Sequence, residues 1–331
     1  MSSILDSVTS AFGPDVLKSL GGALGADPAS VGKAMGAVGP LLLSGMSRAT
    51  AAPGGADALM KMLPQDHGLL GNLGGLFGGL LGGSSPTGEA GLLPSLFGGA
   101  TSAVAGTLSR SLGFNVAPLL NLAAPALLAG VTKLVKEKGL DAAGLGATLK
   151  EQADAFMADG ANADAAKLVD SAFTAADVAK HTIAGYGDDW AKVMAGPAAA
   201  LAAVASADLS GPVGSIKEAR AAAETLEAAA RAAAPGSVLA TAFGAGLTTE
   251  MMQELRKAAS TRDGLIAVLK SGADAVQARS PADAQAYKDT LMAVARATAE
   301  ASKDGGFLGI GGKLVSDDEQ KALDAIRTAL G

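Results

Sequence analysis

Pro40-Leu41-Leu42-Leu43-Ser44-Gly45-Met46-Ser47-Arg48 returns downstream as Pro125-Ala126-Leu127-Leu128-Ala129-Gly130-Val131-Thr132-Lys133. Each copy follows a Leu-Gly pair, Leu24-Gly25 and Leu112-Gly113, with three residues fewer between pair and proline in the second copy. A unit that recurs in this way is one supersecondary element used twice. It reads as a helix, a Leu-Gly turn, a helix, and then a proline-started apolar helix closed by a cation. The cation suits the negative end of the helix dipole. Two such units predict a small bundle of short helices in the N-terminal part.

Working outward from that repeat, the whole chain reads as helix. No window alternates β-branched or aromatic residues with period two, so strands are not expected. Helix starts are legible at Asp27-Pro28 and at Ser280-Pro281-Ala282-Asp283, where a capping oxygen precedes a proline at the first helical position. From the second start, Tyr287, Leu291, Val294 and Thr298 fall on one stripe of an amphipathic helix. The expected fold is all-α, in two helical domains.

Composition limits what such helices can pack. Of 331 residues, 74 are Ala and 45 are Gly, against 8 Phe, 2 Tyr and 1 Trp. A core made from these residues relies on small side chains and close helix approach. There is no cysteine, so disulfides, thiolate metal sites and cysteine nucleophiles are excluded. A net charge of −6 without a Lys/Arg cluster argues against a nucleic-acid partner. The start, Met1 to Asp6, shows no basic segment before an apolar one, so a cytoplasmic protein is expected. The most apolar run, Val116 to Val131, is interrupted by Pro118, Asn121 and Pro125 and falls short of the ~20 residues of a transmembrane span. Contact with a membrane surface stays open.

Charge and glycine divide the chain near Lys138-Gly139-Leu140, where a glycine follows a basic last turn. Residues 1–139 carry 8 Lys+Arg and 7 Asp+Glu, while residues 140–331 carry 18 and 25. The expected domains are therefore a Gly/Leu-rich 1–139 and an Ala-rich, acidic 140–331. Inside the first, residues 68–99 hold 12 glycines. That stretch includes Leu73-Gly74-Gly75-Leu76-Phe77-Gly78-Gly79-Leu80-Leu81. Glycine costs a helix about 1 kcal/mol per residue against alanine, so the stretch is a linker, a contact to a membrane surface, or an adhesive motif that orders on contact. As an adhesive motif it would use Leu73, Leu76, Phe77, Leu80 and Leu81 for self-association.

The C-terminal half repeats as well. Ala205-Ser206-Ala207-Asp208 leads to Ser215-Ile216-Lys217-Glu218 and a helix. Ala301-Ser302-Lys303-Asp304-Gly305 leads to Ser316-Asp317-Asp318-Glu319 and a helix. Both Ser-x-x-Glu sets read as capping boxes.

On the Leu-Gly turns, the Pro-Leu-Leu helix and Asp66-His67-Gly68-Leu69-Leu70-Gly71-Asn72-Leu73-Gly74-Gly75-Leu76, residues 1 to about 138 resemble the YidB-like family of bacterial proteins. The resemblance implies a helical, homeodomain-like topology and no known activity. On Asp304-Gly305, Ser316, Glu319 and Ala329-Leu330-Gly331, residues 190 to 331 resemble the TerB-like family associated with tellurite resistance and stress response. The glycine-rich Gly306 to Leu314 is an insertion relative to that family, and Leu209 stands where its glycine would be in the first copy. This second resemblance implies metal binding by loop acids, which maps onto Asp208, Glu218, Asp304 and Glu319. A divalent cation is the only cofactor implied.

Other candidate chemistry is thin. Gly305 to Lys313 lacks the glycine and the Ser or Thr that a phosphate loop needs. His67 beside Asp66, and His181 near Asp188 and Asp189, have no nucleophile to serve. Trp190 is expected to anchor a core. The sequence thus points to a non-enzymatic protein that forms homo-oligomers through its YidB-like part and docks a protein partner through its TerB-like part. The alternative reading is a metal-binding stress-response sensor or sequestering protein.

Overall fold

A computed structural model describes residue 4 and residues 14–63, 92–207, 212–244, 255–256, 261–301 and 315–331. Every regular element among them is helical: α1 (Pro14–Leu24), α2 (Pro28–Ala51), α3 (Gly55–Met62), α4 (Leu92–Phe97), α5 (Thr101–Leu112), α6 (Ala117–Lys138), α7 (Ala142–Ala158), α8 (Ala163–Tyr186), α9 (Asp189–Ala205), α10 (Pro212–Ala232), α11 (Val238–Ala242), α12 (Arg262–Arg279), α13 (Pro281–Ala301) and α14 (Asp317–Leu330). The fold is all-α, as expected. The helices form two compact units, residues 1–176 and 177–331.

In the first unit the two sequence repeats become two helix–glycine–helix elements. Gly25 (φ 63°) separates α1 from α2, and Gly113 (φ 84°) separates α5 from α6. Both occupy the left-handed region that an L side chain resists, which is why a Leu-Gly pair marks each turn. At the first turn Asp27 Oδ1 accepts from the amides of Ala29 (3.0 Å) and Ser30 (2.9 Å), with Pro28 at the first helical position. At the second, Ser109 Oγ donates to Ala105 O (2.7 Å) and accepts from Val116 N (2.9 Å), tying the end of α5 to the start of α6.

One expectation is corrected here. Pro40 and Pro125 do not start helices; they lie inside α2 and α6. An internal proline costs a helix one hydrogen bond, and burial of the surrounding residues offsets that loss. Every residue from Ala37 to Met46 is buried, so this middle part of α2 is covered on all faces. It packs against α1, α3, α4, α5, α6 and α7. For the same reason the helix through Pro125 continues unbroken past the apolar run to Lys138. The 22-residue α6 is, by length and composition, the one helix among the described residues able to cross a membrane, although half of its most apolar stretch is buried inside the protein.

Lys138-Gly139 does end a helix, with Gly139 at φ 58° and its amide bonded to Val135 O. The next helix nevertheless joins the first unit. Leu145, Leu149 and Ala153 of α7 are buried, and α7 packs on α2 and α3. The division by contact therefore falls at Ala176/Asp177 within α8, later than the change in composition at Gly139. Nearby, the guanidinium of Arg48 lies 3.7 Å from the centre of the Phe173 ring, and Phe97 packs on the same ring at 6.0 Å.

The second unit surrounds α9, which packs on α10, α12, α13 and α14. Residues 195–201 are all buried. This helix too contains an internal proline, Pro197. Alanine and glycine at the contact faces permit the close approach that the composition required. Gly196 and Gly272 are the clearest cases, because a Cβ on Gly196 would lie 2.2 Å from Tyr287 Oη and one on Gly272 only 2.7 Å from the Lys192 carbonyl.

Candidate functional site

The described residues from the predicted metal set are Glu218 on α10 and Glu319 on α14. Both are almost wholly buried, at 2 % and 3 % exposure. Glu319 completes a capping box: its Oε2 accepts from Ser316 N at 2.7 Å while Ser316 Oγ accepts from Glu319 N at 3.2 Å. The local sequence foretold this, because the spacing of three is a property of one helical turn. Ser316→Ala is expected to lower the stability of the second unit by about 0.5–2 kcal/mol, and an unchanged thermal midpoint would show that the cap contributes nothing.

The companion capping box is corrected. Ser215 does not precede a helix, since α10 already begins at Pro212. A proline in the first turn with Gly211 before it extends the helix backwards past the serine. Asp208 and Asp304 lie outside the described residues, as do His67, the Gly305–Lys313 loop and the self-association set Leu73, Leu76, Phe77, Leu80 and Leu81. Among the described residues, no group of three or more His, Asp or Glu is placed to hold a metal ion.

His181 is exposed on α8, where its Nδ1 lies 2.8 Å from the Asp177 carbonyl one turn earlier, the geometry of a helix-surface histidine. Trp190 packs at the edge of the second core, partly buried and edge-on to Tyr186 with ring centres 5.5 Å apart. Beside it Asp189 bonds both Lys192 (2.7 Å) and Arg279 (3.0 Å). Those two cations, Lys192 first, hold its carboxyl below the ordinary aspartate range. Arg279 also donates to Gly185 O at 3.2 Å, so one guanidinium joins the end of α8, the start of α9 and the end of α12.

One polar contact escaped the sequence reading. The buried hydroxyl of Tyr287 on α13 donates to the Val193 carbonyl of α9 at 2.7 Å. Burial raises the pKa of this hydroxyl far above that of an ordinary tyrosine, so it keeps its proton. The only trace in the sequence is a Gly-Pro step within an alanine-rich helix and one of two tyrosines, 94 residues beyond Val193.

The class defined by this geometry is an all-α protein whose two units each enclose a small-residue helix carrying an internal proline. Residues 6–134 match a family model described as "Bacterial protein of unknown function (DUF937)". That match fits the resemblance of the N-terminal part to an uncharacterised bacterial family, and it stops short of the C-terminal unit. No curated protein matches the chain. No solved structure matches it either, and the TerB-like resemblance finds no support in these comparisons.

Proposed function

We propose that this is a non-enzymatic, cytoplasmic interaction protein that assembles with copies of itself through its YidB-like part and docks a protein partner through its acidic, TerB-like part. What supports the reading is the position of the Leu/Phe-Gly motif, residues 69–81, in the sequence. It stands between two helices that are both seated in the first unit, α3 through buried Leu63 just beyond its end and α4 through buried Leu93 and Phe97. A copy that binds through the motif therefore brings a whole packed unit to the contact.

Within one chain the energetics of burying the motif nearly balance. Each large side chain of the motif contributes about 1.5–3 kcal/mol when buried. Each ordered residue costs about 1–2 kcal/mol of backbone entropy, so the glycines cancel most of the gain. Association also costs translational and rotational freedom, and contacts from the rest of each copy's YidB-like part offset that cost.

Full-length protein is expected to show a mass that rises with concentration in size-exclusion chromatography with light scattering. The variant lacking residues 69–83 is expected to run as a monomer. A monomeric parent at high concentration, or a deletion variant that assembles as well as the parent, would refute the proposal.

A further inference from the structure

A helix residue without an N–H leaves the carbonyl four positions earlier without its helical donor. In α2 and α6 the prolines leave the carbonyls of Gly36 and Asn121, and both are exposed residues where water can serve. In α9 the corresponding carbonyl belongs to Val193, which has no exposure at all. A buried carbonyl needs a partner from the protein. Tyr287 Oη supplies it from another helix at 2.7 Å.

The residue before the proline weakens the same step. Gly196 has a lower helix propensity than alanine, and it is small for a second reason: its missing side chain and that of Gly272 clear the space that the tyrosine hydroxyl fills, since a Cβ on either would lie 2.2 Å or 2.8 Å from Oη. The segments on either side of the step are buried to different extents. Before it, Asp189 is tied to Arg279 on α12 and only Val193 and Ala195 are buried, whereas beyond the proline Ala198, Ala199, Ala203 and Val204 are fully buried in the core.

We propose that the Gly196–Pro197 step is a joint in α9 that Tyr287 holds shut. When the hydroxyl withdraws, the Asp189–Ala195 segment, which carries Trp190, pivots on this step while Pro197–Ala205 stays in the core. Pro and small flexible residues are where helices bend, and local openings of this kind have lower free energies than global unfolding.

Hydrogen exchange with mass spectrometry on the full chain tests the joint in four proteins: parent, Tyr287→Phe, Pro197→Ala and the double variant. Tyr287→Phe is expected to speed exchange about tenfold in peptides covering residues 189–205, the scale of leaving one buried carbonyl without a donor, with peptides from α10 and α14 changing much less. Pro197→Ala restores the N–H that bonds Val193, so it slows exchange at the step, and on that background Tyr287→Phe adds little. An equal rise across the whole second unit, or the same effect of Tyr287→Phe on both backgrounds, would overturn the joint. If Tyr287→Phe does not fold, Pro197→Ala alone decides, because unchanged exchange at residues 189–205 is incompatible with a joint there.

Discussion

Leu42→Ala is expected to destabilise the first unit by about 2–5 kcal/mol. Leu42 has no exposure and lies in the Ala37–Met46 block, which is buried on all faces of α2. Removing its terminal carbons forfeits their transfer free energy and leaves a cavity lined by several helices that share α2 as their common neighbour. Such a site collapses poorly because moving one neighbour inward pulls it away from the others. Chemical denaturation followed by far-UV circular dichroism measures the loss. Emission from Trp190, the single tryptophan, reports the second unit separately. A loss below about 1 kcal/mol would mean that α2 is not the central helix of its unit.

Gly196→Ala carries the second large effect, and here its sign is the test. In an open helix interior the change from glycine to alanine stabilises by about 0.5–1 kcal/mol. Gly32 in α2 is such a position, since a Cβ there meets nothing within 4 Å, and Gly32→Ala is expected to raise stability by that amount. At Gly196 the added methyl would lie 2.2 Å from Tyr287 Oη and 3.3 Å from Leu291 Cδ2, against side chains held in a closed core. Gly196→Ala is expected to lose about 1–3 kcal/mol, as overpacked cores do. Combined with Tyr287→Phe, which removes the atom in the closest contact, it is expected to cost less than the sum of the two single changes. Thermal unfolding monitored through Trp190 gives all the values. A stabilised Gly196→Ala variant would show that the tyrosine does not occupy the space beside this glycine.

The features that the sequence alone determined are those carried by neighbours within one helical turn. Asp27 with Pro28, Lys138 with Gly139 and Ser316 with Glu319 mark helix ends because the bonds concerned join residues at most five positions apart. The duplicated Leu-Gly turn belongs to the same class, since a left-handed glycine is a local requirement. Tertiary structure decided the rest. Pro40 and Pro125 read as helix starts by local rules, yet the helices run through them because burial along α2 and α6 outweighs one missing hydrogen bond apiece. The change of composition at Gly139 says nothing of where α7 finds its partner, and Leu145 and Leu149 place it with the first unit. The bond from Tyr287 to Val193 spans 94 residues, and only packing α9 between α12 and α13 brings a free carbonyl, two glycines and one hydroxyl to the same point.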